Sequence, residues 1–101
     1  MDYEFEWHEE KNSANKLKHK IGFETAVLIW DGFVLEWEDV RFDYGEKRIS
    51  AIGEINGRAI FVAYTPRENR RRIITARKAR EDEQRKYGEA LARRLETSDD
   101  G

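Results

Sequence analysis

Apolar residues recur along the chain with two different periods, and these periods predict the order of helices and strands. Apolar residues three or four positions apart are typical of a helix, and alternation of apolar and polar residues is typical of a half-buried strand. The first pattern predicts helices over residues 8–19, 23–31 and 79–95. The second, together with one continuous apolar run, predicts strands over residues 3–7, 33–37, 48–55, 58–65 and 71–77.

Turn residues between these strands predict an antiparallel meander. Asn56-Gly57 is a strong hairpin signal because both residues accept positive φ. Pro66 is predicted to end the strand before it, since proline cannot donate to a ladder. Residues 38–46 are acidic and irregular and predict a surface loop. We therefore expect one α+β domain over residues 1–101, with two N-terminal helices, a meander of about four antiparallel strands and a C-terminal helix.

The first helix carries a thin apolar stripe of Ala14, Leu17 and Ile21, and we expect it to pack through this stripe. Gly22 is the predicted stop of this helix. In the segment before it, alternation predicts that Tyr3, Phe5 and Trp7 point inward.

Composition narrows the chemistry. The chain has no cysteine, which excludes disulfides and thiolate metal sites, and its two histidines are too few for a histidine-rich metal cluster. We expect no metal and no cofactor. The sequence contains no apolar run long enough to span a membrane and does not start with a signal peptide, so we expect a cytoplasmic protein without membrane contact.

Charge is divided unevenly along the chain. Residues 1–46 hold twelve acidic and five basic residues, whereas residues 47–101 hold nine acidic and fourteen basic residues. The net charges of the two parts are therefore −7 and +5. Such asymmetry favours a nucleic acid or another acidic partner for the basic part.

The densest basic charge lies in residues 70–80, where a strand is followed by a helix. Strict alternation would place one set of side chains on one face, namely Arg71, Ile73, Thr75 and Arg77, and a second set on the other, namely Arg72, Ile74 and Ala76. A surface of this kind suits a polyanion. The alternative is a solvated strand end whose arginines pair with glutamates and aspartates.

Several short motifs follow one another in a specific order and spacing: Phe5-Glu6-Trp7, Glu9-Glu10-Lys11-Asn12 with Asn15, Lys18-His19, Phe23-Glu24 with Ala26, Arg48, Ile52-Gly53, Val62-Ala63-Tyr64-Thr65, Arg72 to Ala79, and Glu83 to Tyr87. Through these motifs nearly the whole chain resembles the BrnT family of bacterial toxins, which belong to type II toxin–antitoxin systems and have a RelE-like ribonuclease fold. The chain departs from the family at His8, where Asp is usual, and at Arg80, where a Ser or Thr cap is common.

The resemblance implies a metal-independent endoribonuclease that arrests translation and growth. Such cleavage needs a base for the 2′-OH proton, positive charge for the phosphorane and an acid for the leaving oxygen. The residues implied for catalysis are Lys18, His19, Arg72, Arg77 and Glu83. Those implied for RNA binding are Arg48, Arg70, Lys78 and Tyr87. Structural roles stay open for five of these residues: charges that offset the dipole at the end of the first helix for Lys18 and His19, salt bridges for Arg77 and Glu83, and helix packing for Tyr87.

The resemblance also implies a partner, a BrnA-like antitoxin that assembles with the toxin as two copies of each. Operator DNA would be bound only through the ribbon-helix-helix part of the antitoxin, while RNA would be bound by this chain. Two other functions remain open on the sequence. One is an RNA-binding module without catalysis, and the other is an assembly partner of a DNA-binding repressor.

Overall fold

A five-stranded sheet lies at the centre of the computed structural model, which describes residues 4–99, with side chains up to residue 96. The strands are β1 (Glu4–Glu6), β2 (Leu35–Glu38), β3 (Ile49–Ile55), β4 (Arg58–Arg67) and β5 (Arg70–Lys78). The helices are α1 (Glu9–His19), α2 (Phe23–Ala26), which continues as a 3₁₀ helix over Val27–Asp31, and α3 (Glu81–Asp99). Among residues 4–99, no helix combines the length and apolar composition needed to cross a membrane.

The strand order in the sheet is β1-β5-β4-β3-β2. Strands β2 to β5 form the predicted antiparallel meander, and the turn at Asn56-Gly57 has the positive φ angles that the sequence indicates. The expectation of a purely antiparallel sheet of about four strands is wrong in one respect, because β1 adds a fifth strand parallel to β5. Phe5 anchors this strand on Trp30, with ring centroids 5.3 Å apart. Tyr3, predicted to point inward, lies outside the described residues.

A bulge in β5 corrects the predicted assignment of its faces. Tyr64 pairs with Ile73, but the preceding residue Ala63 pairs with Thr75, so Ile74 is an extra residue in the strand. Ile73 consequently lies in the core under α2, whereas Arg77 lies over the ring of Phe61 on the opposite face of the sheet. Ile73 and Arg77, which strict alternation puts on the same face, are separated by the sheet.

Strand β4 does not end before Pro66 as predicted. It continues to Arg67, and Pro66 pairs with Arg71 of β5. The first residue of β3 pairs with Tyr64, so at Pro66 strand β4 has a neighbour on one side only. A proline is tolerated where the ladder is one-sided.

Helix α1 packs through buried amides and not through the predicted apolar stripe. Its buried residues are Asn12 and Asn15, while Ala14 is exposed and Leu17 is 77% exposed. The helix also ends before Gly22, because Lys20 takes the left-handed capping conformation at φ 63°.

Asn15 joins α1 to β5 of the sheet. Its Nδ2 donates to the carbonyls of Ala76 (2.8 Å) and Ile21 (2.9 Å), and its Oδ1 accepts from the Ala76 amide (3.2 Å) and the Thr75 hydroxyl (3.1 Å). Asn12 performs a similar task one turn earlier, where its Oδ1 accepts from the amide of Phe23 at 2.9 Å. Buried amides of this kind stabilise a fold because every polar group has a partner.

Two apolar clusters cover the two faces of the sheet. The larger cluster lies under α1 and α2 and includes Phe23, Ile29, Trp30, Val62 and Ile73. The smaller cluster lies under α3 and contains Ile52, Phe61, Ala79 and Tyr87. Helix α3 covers only part of this second face.

We expect Asn15→Ala to lower the free energy of unfolding by about 2–4 kcal/mol, because it leaves the buried amide and carbonyl of Ala76 without partners. Leu17→Ala is the matched control on the same helix and should change it by less than about 0.5 kcal/mol. Urea unfolding followed by tryptophan fluorescence measures both values. A larger loss for Leu17→Ala would show that the helix packs through its apolar stripe after all.

Candidate functional site

A groove of about 420 Å³ lies on the face of the sheet that α3 covers only in part. Its floor is made by small side chains in register on three neighbouring strands, since Ser50 pairs with Ala63 and Ala63 pairs with Thr75. Side chains from the sheet, from the loop after β2 and from the start of α3 form its walls. The charged lining residues are Asp39, Arg41, Arg48, Arg77, Arg80, Asp82, Glu83 and Lys86. Five cations against three carboxylates make the groove basic.

Arg77 and Glu83 form a two-pronged ion pair at one end of the groove. Nη1 and Nη2 of Arg77 donate to the two carboxylate oxygens of Glu83 at 2.8 and 3.0 Å, and the side chains are 18% and 12% exposed. The guanidinium also lies 4.1 Å above the ring centroid of Phe61. Two contacts of different kinds therefore hold the plane of this arginine in one orientation.

Glu83 also caps the N-terminus of α3. Its Oε1 accepts a hydrogen bond of 2.8 Å from the backbone amide of Arg80, the residue before the first turn. This is half of a capping box, which the carboxylate supplies although Arg80 itself is not a capping residue. Burial acts to raise the pKa of Glu83, but the hydrogen bonds from Arg77 and from the Arg80 amide outweigh it and hold the pKa below its usual range. The carboxylate is thus ionised at neutral pH and is a weak base.

Arg48 lies in the groove with a guanidinium that makes no hydrogen bond within the described chain. The guanidinium is 4.3 Å from the ring centroid of Tyr44, and its Nε is 3.7 Å from a carboxylate oxygen of Glu46, which is too far for a hydrogen bond. This Nε is buried and has no hydrogen-bond partner among residues 4–99. The side chain is 27% exposed, so the guanidinium keeps donors that an anion in the groove could use.

The loop after β2 forms one wall of the groove through Asp39. This carboxylate accepts bonds from the Arg41 guanidinium (2.9 Å), the Arg41 amide (3.1 Å) and the Tyr44 hydroxyl (2.9 Å). The hydrogen bond from the Arg41 side chain is the main reason that the pKa of Asp39 lies far below its usual range. Asp39 therefore organises the loop and places Tyr44 under Arg48.

Lys86 of α3 also lines the groove, and its Nζ lies 4.3 Å from the ring centroid of Trp37 on β2. Its ammonium group adds a further positive charge to the groove. Together the cations can bind a phosphodiester and stabilise the extra negative charge that develops on it during displacement at phosphorus.

The structure brings together three of the nine residues that the sequence singled out, Arg48, Arg77 and Glu83. His19 and Lys78 line a different cavity, and Lys18 precedes His19 at the end of α1. Tyr87 is 7% exposed, and its hydroxyl donates to the Phe33 carbonyl at 3.0 Å, so its ring belongs to the core under α3.

Arg70 and Arg72 lie at the edge of the sheet beside β1. Arg72 contacts the carboxylate of Glu6 at 2.6 Å, and Arg70 contacts Glu4 at 3.3 Å and Glu6 at 3.5 Å. These two arginines therefore match the alternative of a strand end whose charges are paired, and neither lines the groove.

Sequence reasoning missed most of the walls. The lining residues that it did not single out include Arg41, Tyr44, Ser50, Arg80 and Lys86. Arg41 and Tyr44 lie in the loop after β2, whose sequence has no distinctive pattern. Arg80 and Lys86, near and on α3, resemble ordinary surface charges in the sequence. One usable signal was the small residues Ser50, Ala63 and Thr75, because small side chains in register on adjacent strands leave room for a groove.

A comparison with protein families finds one match over most of the chain. Residues 7–83 match the model of the family described as "Ribonuclease toxin, BrnT, of type II toxin-antitoxin system". The matched segment includes Arg48, Arg77 and Glu83 of the groove. None of the curated proteins that were searched matches the chain.

We expect Glu83→Gln to lower the free energy of unfolding by about 3 kcal/mol at neutral pH, since it breaks a largely buried ion pair. The folded-state pKa of Glu83 lies below the unfolded value of about 4.3, so the contribution is complete above that pH and is lost as the pH falls through the folded-state pKa. The difference between wild type and variant should therefore shrink in acid. Urea unfolding at several pH values measures this difference.

The matched control is Glu81→Gln, an exposed carboxylate in the same first turn of α3. It should change the free energy of unfolding by less than about 0.5 kcal/mol. Equal losses for the two variants would mean that Glu83 acts only through the charge of the helix terminus.

Proposed function

Because the chain belongs to the BrnT family of ribonuclease toxins of type II toxin–antitoxin systems, we propose that the groove between the sheet and α3 is its ribonuclease centre. The observation that carries this proposal is the presence of two arginines in one groove, Arg77 held rigidly by Glu83 and Arg48 with a guanidinium that makes no hydrogen bond within the described chain. Fixed positive charge with unused donors is what a phosphodiester in its transition state requires.

The reaction we propose is attack of a ribose 2′-oxygen on the adjacent phosphorus without a metal ion. The O2′–P bond forms and the P–O5′ bond breaks, which gives a 2′,3′-cyclic phosphate and a 5′-hydroxyl. The 2′-OH proton leaves to a base and another proton reaches the departing 5′-oxygen. The phosphorane gains negative charge in between, and this charge is the part of the reaction that the groove is built to stabilise.

Arg77 and Arg48 are assigned complementary parts in binding this charge. Arg77 donates to Glu83 and to the Lys78 carbonyl, which accounts for three of its five N–H donors within the described chain, and its orientation is fixed before RNA enters. Arg48 supplies its positive charge and the guanidinium donors that no hydrogen bond within the described chain uses. Glu83 is a positioning residue, because its low pKa and full set of hydrogen bonds suit it to hold an arginine and make it a poor proton acceptor.

Among the residues that line the groove, Lys86 and Asp82 are the candidates for the general acid and the general base. Both are exposed side chains on the first two turns of α3, and each carries a group that can exchange a proton with bound RNA. We assign most of the rate to charge stabilisation by the arginines, since positioned donors of this sort are worth about 100-fold or more each.

A type II toxin acts with an antitoxin, and we propose a BrnA-like protein in a complex of two toxins and two antitoxins. The basic groove fits an acidic antitoxin surface, which would exclude RNA by occupying the same cations. Operator DNA would then be contacted through the antitoxin, and RNA through this chain alone.

The test is cleavage of single-stranded RNA by the purified chain in EDTA. Arg48→Ala should lower the rate by about 100-fold, because it removes one donor to the phosphorane. Arg77→Lys keeps the charge but not the fork and should lower the rate by a similar factor. Mass spectrometry of the wild-type products should find the 2′,3′-cyclic phosphate, and a substrate with a 2′-deoxyribose at the cut site should stay intact.

Arg67→Ala is the matched control, an exposed arginine at the end of β4 outside the groove. It should cleave RNA at the wild-type rate. Equal rates for Arg48→Ala, Arg77→Lys and the wild type would place the chemistry elsewhere or assign it to a contaminating nuclease. Dependence of cleavage on an added divalent metal would overturn the metal-independent mechanism.

A further inference from the structure

A second basic cavity, of about 550 Å³, lies at the same end of the sheet as Arg77 but on the other face. Its floor is apolar and consists of Ile21, Ile55 and Ile60. Its rim is polar and basic and consists of His19, Lys20, Thr25, Asn56, Arg58 and Lys78. No carboxylate lines it among residues 4–99.

The cations of this rim are not used in the fold. Lys20, Arg58 and Lys78 are exposed, and none of them takes part in an ion pair within the described part of the chain. This separates them from Arg70 and Arg72, whose charges are matched by glutamates. An unneutralised cluster of this kind attracts an anion.

The strand register joins this cavity to the groove. Phe61 pairs with Arg77 on the groove face, and the neighbouring pair Ile60 and Lys78 belongs to the second cavity. Arg80, which lines the groove, follows two residues after Lys78. Positive charge therefore continues around the end of β5 from one face of the sheet to the other.

The electrostatics of His19 show the same connection. Burial is the largest cause that lowers the pKa of His19, and the charges of Lys18 and Arg77 lower it further. Arg77 belongs to the groove, so its field reaches the second cavity.

We propose that the second cavity binds a nucleotide of the RNA substrate outside the cut site, with its base against the isoleucine floor and its phosphate at the basic rim. This inference rests on the proposed function and extends the RNA path from the groove over the end of β5. An apolar floor beside a basic rim matches the two halves of a nucleotide, and the Asn56 amide offers hydrogen bonds to a base edge. His19 thus acts in binding RNA and not at the reacting phosphorus.

The test compares binding of two probes with different lengths. A trinucleotide fills the groove alone, and a dodecanucleotide also reaches the second cavity; both are 2′-O-methylated so that they cannot be cleaved. The variant combines Lys20→Asn, Arg58→Gln and Lys78→Gln, with asparagine at position 20 because the residue there has φ 63°. Fluorescence anisotropy gives the affinity at several salt concentrations.

We expect the triple variant to lower the magnitude of the salt slope for the dodecanucleotide by about 0.7 or more, which is the loss of at least one phosphate contact on a single strand. Its affinity for this probe at low salt should fall by roughly 10-fold or more. Binding of the trinucleotide should not change. The matched control removes three exposed cations elsewhere, with Lys11→Gln, Arg67→Gln and Arg85→Gln, and should keep the wild-type slope.

Unchanged dodecanucleotide binding in a variant that keeps the wild-type unfolding midpoint would overturn the inference and leave the proposed function intact. An equal loss of affinity for both probes would also overturn the inference. So would a variant that loses affinity for the antitoxin but keeps its affinity for RNA. A wild-type chain that binds neither probe would instead remove the proposed function itself.

Discussion

The open edge of β5 is the constraint on which the fold and the groove depend. Strand β1 covers this edge only as far as Arg72, and beyond it the backbone of β5 needs other partners. Asn15 meets this need with one side chain, which accepts from the amide of Ala76 and donates to its carbonyl as a neighbouring strand would. The same amide fixes α1 on the sheet and holds β5 in place just after the bulge. Arg77, one residue further on, is therefore directed into the groove.

The arginines of β5 have two different roles, and the position of the carboxylate that pairs with each arginine decides its role. The arginines near β1 are neutralised by Glu4 and Glu6 and hold an edge strand in place. Arg77 is also paired, but its partner Glu83 lies on the next helix and leaves the guanidinium facing a cavity with a floor of small side chains. Charge in the sequence thus indicates a polyanion only where the fold leaves that charge with unused donors, as at Arg48.

The strand pattern and the Asn56-Gly57 turn were sufficient to predict the antiparallel meander, since both are local signals. The packing of α1 was not predictable from periodicity, because a pattern analysis treats Asn15 as a surface residue while its partner Ala76 is distant in sequence. The bulge at Ile74 leaves no trace in composition, yet it decides the face of Arg77. Of the residues that line the groove, Arg48, Arg77 and Glu83 were predictable from motifs. Arg41, Tyr44 and Lys86 converge only when β2, its following loop and α3 are assembled.

The contact between Lys86 and Trp37 has a practical consequence for studies of this protein. Trp37 is the tryptophan that lines the groove, whereas Trp30 is buried in the larger cluster and Trp7 packs against it. An indole beside an ammonium group in the groove is an optical probe that is already in place. Its emission reports on entry into the groove, while the other two indoles provide a nearly constant background. Occupancy of the groove by the RNA and the antitoxin that we propose can therefore be followed in the unlabelled, unmodified chain.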